Sequence, residues 1–257
     1  MSVDFDISGH FARVTINRPD RLNAVDTAAH LRLAEIWKEV EENPGIRCAV
    51  LTGAGAKAFC AGADLKEDSG LSGVDYWKNI SESGFTGIAM RQMSTPVIAR
   101  VNGLALGGGL EMVLGCDIVI ASETARFGLP EAKVGRVPLD GGMVLLPRLV
   151  PRNIAMGMMM TGRLLAASEL ERHGLINAIV PPDDLDDETD RWVADLLSCA
   201  PLSLRAIKAI SRQTAHLPVQ EAFQYPADEL EAALCSQDAD EGVAAFREKR
   251  APVWTGR

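Results

Sequence analysis

Residues 97–121 form the most apolar stretch of the chain and must be sheltered from water. They carry Arg100, Glu111 and Asp117 and are broken at Gly107-Gly108-Gly109. A bilayer span needs ~20 nearly uncharged residues, so the stretch is read as the interior of a globular protein. Its two ends, 96–101 and 116–121, are short apolar runs that fit buried strands. Cys48-Ala49-Val50-Leu51 is a third such run.

Other segments place helices between these strands. Val3, Phe5 and Ile7 alternate with polar residues, Ser8-Gly9-His10 turns, and Ala12, Val14 and Ile16 alternate again, which predicts a hairpin. Asp26 or Thr27 caps a predicted helix carrying Leu31, Ala34, Trp37 and Val40 and stopped by Asn43-Pro44-Gly45. A second long helix is predicted over 74–93. Strands with helices between them imply an α/β fold with a mostly parallel sheet. Beyond Leu185 no strand pattern appears, and 188–250 reads as successive helices broken at Pro201, Pro218 and Pro226. The division expected is a core over 1–187 and a helical region over 188–257.

Bulk properties exclude some function classes. The 257 residues carry a net charge of -9, which argues against non-specific nucleic-acid binding. Five cysteines (Cys48, Cys60, Cys116, Cys199, Cys235) form no CxxC pair. They suggest buried, reduced thiols rather than a disulfide frame. The first residues show neither a basic nor an apolar secretion segment, so a cytoplasmic protein without a membrane anchor is expected. Gly53-Ala54-Gly55-Ala56-Lys57-Ala58 matches a relaxed dinucleotide fingerprint, but the following residues are a poor helix start. His10, His30, His173 and His216 are scattered without metal-ligand spacing and read as surface or packing residues. Cys60 has no histidine near it in sequence and reads as a small packed residue.

Three segments remain as carriers of chemistry. Residues 57–66, Lys57-Ala58-Phe59-Cys60-Ala61-Gly62-Ala63-Asp64-Leu65-Lys66, are small where a helix would want bulk, so a ligand can approach the backbone. Residues 102–111 place three glycines before an apolar helical run, aiming free N–H groups at one spot, with Glu111 in the first turn. The third runs from Phe127-Gly128-Leu129-Pro130-Glu131 to Pro138 and Gly141-Gly142. Singly, each has a bland reading: a packing glycine, a dipole partner, a helix start. Together and in this order they favour a site.

These segments carry a family resemblance over nearly the whole chain. "KAFCAGADL" and "NGLALGGGLE" resemble the two oxyanion-hole loops of the crotonase (enoyl-CoA hydratase/isomerase) superfamily. "FGLPEAKVG" with "PLDGG" resembles its second catalytic loop, and residues 161–177 and the C-terminal "AFREKRAPVWTGR" are also similar to it. The resemblance implies a spiral of ββα units with a C-terminal helical trimerisation region, assembled as a trimer or dimer of trimers. It implies Glu111 and Glu131 as catalytic acids, and the N–H groups of Ala61 and Gly108 as oxyanion donors. It further implies Ala61, Gly62, Ala63, Asp64, Leu65 and Gly108 against the acyl-CoA, with Phe246 and Lys249 reaching a neighbouring subunit's coenzyme A. No metal or redox cofactor is implied, coenzyme A being part of the substrate.

The activity expected is reversible hydration of an α,β-unsaturated acyl-CoA, since retention of both glutamates favours it over isomerisation. "LPEAKVGRVP" and "EKRAPVWTGR" most resemble carnitinyl-CoA dehydratase-type members, which keeps that reading open beside the hydratase and isomerase ones. A non-catalytic CoA-ester-binding scaffold is the alternative of another class. Asp140 departs from ordinary hydratases, and either caps the helix expected at Gly141 or meets a polar or cationic substrate tail.

Overall fold

The computed structural model describes residues 2–67, 72–79, 84–90 and 93–257. Strand β1 (Val3–Ser8) pairs antiparallel with β2 (Phe11–Ile16), as the alternation predicts. Parallel strands β3 (Cys48–Gly53), β5 (Val97–Val101), β7 (Ile118–Ser122) and β10 (Ala178–Val180) follow in the order β1-β2-β3-β5-β7-β10. A second sheet has the order β4-β6-β8-β9, from β4 (Ala58–Cys60), β6 (Leu104–Leu106), β8 (Arg126–Gly128) and β9 (Leu165–Ala166). Three parallel strands of the first sheet are each followed by a short strand of the second: β3 by β4, β5 by β6, β7 by β8. Helix α2 (Gly73–Lys78) follows the first of these pairs and α3 (Gly108–Gly115) the second. This strand-strand-helix repeat is the expected spiral.

Helix α1 (Thr27–Glu42) is capped by Asp26, whose carboxylate accepts from Ala29 N at 2.8 Å, and stops at Asn43. Ala29, Leu33, Ile36, Trp37 and Val40 recur at helical spacing and are fully buried. Leu31, expected inside, falls on the opposite face and is 58 % exposed. The long helix predicted over 74–93 does not form among the described residues. Helix α2 has six residues, and a 3-10 turn at Phe85–Gly87 takes its place, with Gly84, Thr86 and Gly87 all at positive φ.

The first sheet is covered on both faces because its side chains alternate. Ala49, Leu51, Val97, Ala99, Val119 and Ala121 face the main core. Cys48, Val50, Ile98 and Ile120 face Leu185 and Val193 of α7 (Leu185–Leu197). The expected boundary at 187/188 falls inside this helix. Between α3 and α7 lie α4 (Leu146–Leu149), α5 (Arg152–Thr161) and α6 (Ala167–Arg172).

The C-terminal region is helical as expected: α8 (Pro201–Gln213), α9 (Val219–Phe223), α10 (Asp228–Leu234) and α11 (Gln237–Glu248). Buried Lys208 ties α8 to the core through Asp117 (2.6 Å) and the Thr95 carbonyl (2.7 Å). The final residues are pinned by buried Asp238, which accepts from the N–H groups of Thr255 (2.7 Å) and Gly256 (2.8 Å). Cys48 and Cys60 are buried, but Cys199 and Cys235 are exposed, so the expectation of uniformly buried thiols holds only in part. No described helix is long and apolar enough to cross a membrane.

Candidate active site

The three segments singled out by sequence leave the carboxyl ends of β4, β6 and β8, which are adjacent parallel strands of the second sheet. Ligands of parallel sheets gather at such ends. Gly107 N donates to the Gly128 carbonyl at 2.9 Å, joining the second segment to the third. Gly107 has φ 55 and ψ -128, a conformation open to glycine, and it starts α3. The close approach of the first segment to the second also demands missing side chains: a Cβ on Gly109 would lie 2.1 Å from the Cys60 carbonyl oxygen.

Glu111 sits in the first turn of α3 and is 3 % exposed. Its Oε1 accepts from two main-chain N–H groups, Asp140 N at 2.8 Å and Gly142 N at 2.9 Å. Burial pushes its pKa up to about 8; the Gly142 N–H opposes this, and the charges of Asp140 and Glu131 add to it. Glu131 opens the 3-10 turn Glu131–Val134 after Pro130. Burial raises its pKa as well, and its Oε2 is buried without a hydrogen-bond partner among the described residues. Gly107 makes room for it, since a Cβ there would lie 3.0 Å from Glu131 Oε1. The two predicted acids thus lie near enough for the charge of Glu131 to add to the rise at Glu111.

The oxyanion donors require a correction. Ala61 N donates to the Leu22 carbonyl at 3.0 Å, so this N–H is spoken for. Val25 N donates to the Gly62 carbonyl and Asp64 N to the Val25 carbonyl, which leaves the intervening Ala63 N–H without an acceptor among the described residues. Gly108 N, at the start of α3, likewise has no acceptor among them. Gly62, at φ +92, packs so near Gly108 that a Cβ on it would lie 3.2 Å from the Gly108 nitrogen. The available pair is Ala63 with Gly108.

Other expected binding residues separate. Asp64 is engaged by Arg18 at 3.1 Å and by Lys66 N at 3.2 Å; the Lys66 N–H first and Arg18 after it hold its carboxyl below the usual range, so it braces the loop rather than facing open solvent. Leu65 is 69 % exposed. Phe246 lies on α11 and is 85 % exposed, but Lys249 is the left-handed cap beyond the helix end (φ 55). The three-residue helical spacing expected to put Phe246 and Lys249 on one face is therefore broken. Cys60 is fully buried, with burial pushing its thiol up to about 12, in keeping with a packing residue.

Phe85 and Tyr76 went unread in the sequence, and His30 was read there only as a surface or packing residue. The Phe85 ring lies against α3, where a Cβ on Gly108 would meet it at 2.6 Å. His30 Nδ1 accepts from Thr86 N at 3.1 Å, and burial lowers its pKa. Tyr76 on α2 donates its hydroxyl to both carboxylate oxygens of Asp140, at 2.8 Å each. Asp140 caps no helix: residues 141–145 form turns, and its side chain reaches Tyr76 and Phe85 instead.

This site belongs to a chain with many known likenesses. The model of the enoyl-CoA hydratase/isomerase family matches residues 6–257. A carnitinyl-CoA dehydratase of Shigella flexneri is 39 % identical, with 97 % of each chain covered. One from Citrobacter koseri is 38 % identical over 100 % of this chain and 99 % of that one. Among solved structures, an enoyl-CoA hydratase from Bacillus anthracis superposes with a TM-score of 0.92 at 33 % identity, covering 100 % of both chains. One from Mycobacterium tuberculosis gives 0.90 at 33 % identity, over 100 % of this chain and 99 % of that one.

Proposed function

The chain belongs to the enoyl-CoA hydratase/isomerase family, and from that premise we propose that Glu111 and Glu131 are the acid–base pair, and the Ala63 and Gly108 N–H groups the oxyanion hole, of a hydro-lyase acting on an acyl-CoA thioester. The observation that carries this reading is the pairing of a gripped Glu111 with a partly unpartnered Glu131 beside two main-chain donors without acceptors among the described residues.

Addition of water to an enoyl thioester moves negative charge onto the thioester oxygen. Two fixed N–H groups meet that charge without reorganising, and loss of one such donor typically costs ~2.7–4 kcal/mol of barrier. Water must give up a proton as its oxygen bonds the β-carbon, and the α-carbon must take one. With Glu111 titrating at about 8, the coupled pair holds a proton at neutral pH. The ionised member accepts the proton from water and the protonated member supplies the α-carbon; dehydration runs the same transfers backwards. The two N–H groups on Oε1 leave the other oxygen of Glu111 for this work. Nothing in the chemistry calls for a metal or redox group, and coenzyme A enters with the substrate.

The curated relatives support a second reading, in which the acyl group carries the carnitinyl substituent and dehydration is the working direction. Assembly as a trimer or dimer of trimers accords with exposed Phe223, Leu234 and Phe246 on the C-terminal helices. Addition of the protein to crotonyl-CoA, and then to a panel of acyl-CoA thioesters including carnitinyl-CoA, tests these readings. Enoyl-thioester absorbance should fall with crotonyl-CoA or rise with a 3-hydroxyacyl-CoA. Tight binding without any turnover across the panel would leave only the scaffold.

A further inference from the structure

Asp140 is 6 % exposed and stands beside the acid pair without a task in the reaction above. Its main-chain N–H is one of the two that grip Glu111 Oε1. Its carboxylate accepts the Tyr76 hydroxyl through both oxygens and Phe85 N through Oδ1 at 2.7 Å. Phe85 in turn lays its ring against Gly108. One residue thus touches Glu111 from its backbone while its side chain holds α2 and the Phe85–Gly87 turn. The charged and titratable groups that face it are Tyr76 from α2, His30 from α1 and Glu111 from α3, with Glu131 coupled through Glu111.

We propose that Asp140 is a positioning residue for Glu111: its carboxylate, anchored by Tyr76 and Phe85, fixes the 140–142 turn whose N–H groups aim the glutamate, and its charge sets the protonation of that glutamate. The inference rests on Glu111 being one of the reacting acids. Its geometric part works through the anchoring bonds. A carboxylate with two sequence-distant donors cannot shift without breaking them, so the Asp140 N–H stays on Oε1. The electrostatic part works through proximity, a negative neighbour favouring the protonated form of Glu111. Burial raises the pKa of Asp140 itself, while the donated hydrogen bonds and the nearby His30 favour its ionised form.

The two parts separate in mutants. Asp140→Ala removes anchor and charge, and should lower kcat at least 10-fold while KM for a short enoyl-CoA changes less than about 3-fold, because the coenzyme moiety binds elsewhere. Asp140→Asn keeps an acceptor for Tyr76 and Phe85 N, and should recover most of the lost turnover. Having lost the charge, it should move the limb of the pH–rate profile that belongs to Glu111 to lower pH. Tyr76→Phe removes one anchor and should fall between wild type and Asp140→Ala in kcat. Wild-type kcat in Asp140→Ala, or a Glu111 limb unmoved in Asp140→Asn, overturns the proposal. If Asp140→Ala does not fold, the limb in Asp140→Asn and the kcat of Tyr76→Phe decide in its place. Glu111→Gln, run alongside, separates the two levels of the argument. Normal turnover in that variant refutes the acid assignment itself and the proposal with it, whereas an inactive Glu111→Gln beside an indifferent Asp140 refutes the positioning role alone.

Discussion

Replacing Glu111 with glutamine removes a titration but keeps the acceptor that the Asp140 and Gly142 N–H groups require. The folded pKa is pushed from 4.5 to about 8, chiefly by burial. A carboxyl raised in this way keeps a proton in the folded protein that the unfolded chain has released. Its contribution is therefore fully present below about pH 4.5 and is lost as the pH rises through about 8. Each tenfold gain in proton affinity on folding is worth about 1.36 kcal/mol, which sets a ceiling of about 5 kcal/mol. Between about pH 5.5 and pH 8 the wild type should lose about 3 kcal/mol that Glu111→Gln does not lose. For a domain of this size that is roughly 6–12 °C of melting temperature. Thermal unfolding of both proteins at equal concentration and salt across this range measures the difference directly. Glu111→Gln should gain on the wild type steadily as the pH rises. A difference between the two proteins that stays constant with pH would show that Glu111 is ionised in the folded protein and would refute the account.

Other perturbations test other parts of the site. Glu111→Gln and Glu131→Gln should each lower turnover ~10²-fold or more while thioester binding, read by calorimetry, stays largely intact. Gly107→Ala places a Cβ 3.0 Å from Glu131 Oε1 at a positive φ; kcat should fall roughly 10-fold or more, and an unchanged kcat would free Glu131 from its dependence on that glycine. Gly108→Val drives its Cβ into the Phe85 ring at 2.6 Å, so activity should be lost although the N–H remains; a folded, fully active variant would reduce Gly108 to packing. Lys208→Met leaves Asp117 with Arg212 and the Val97 N–H but takes the donor from the buried Thr95 carbonyl, and should cost about 1–3 kcal/mol in denaturant unfolding.

Much of the fold was legible because its signals are local. The alternation in β1 and β2, the Asp26 cap and the Asn43-Pro44-Gly45 stop each act within a few residues. The short strands β4, β6 and β8 have three residues apiece, too few to show a period, and they exist only because the sheet assembles around them. The two glutamates have bland readings taken singly, one as a dipole partner at a glycine-led helix start and one after Pro130; it was the order of the segments and the family resemblance that singled them out. Which N–H of the first loop is free was not, because the pairing of Leu22 and Val25 across space decides between Ala61 and Ala63. The role of Asp140 stayed open between a cap and a substrate contact because its partners, Tyr76 and Phe85, lie 64 and 55 residues away. Sequence does not sort the apolar C-terminal residues into internal and external: Trp192, Val193, Leu196 and Leu197 pack on the chain's own first sheet, while Phe223, Leu234 and Phe246 are exposed.

The grip on Glu111 by two peptide N–H groups has a bearing on how such an enzyme changes over generations. A codon change replaces a side chain and, proline aside, leaves the peptide N–H in place. A mutation at residue 140 exchanges the group that meets Tyr76 and the Phe85 N–H, while the donor behind it persists unless the turn, deprived of that anchor, moves. Gly142 is the exception that guards the arrangement, since any Cβ there would press on Pro138 at 2.6 Å and Leu129 at 2.8 Å. The machinery is thus inherited as backbone shape, and side chains that do not anchor that shape are free to drift toward new acyl groups without the reaction having to be reinvented.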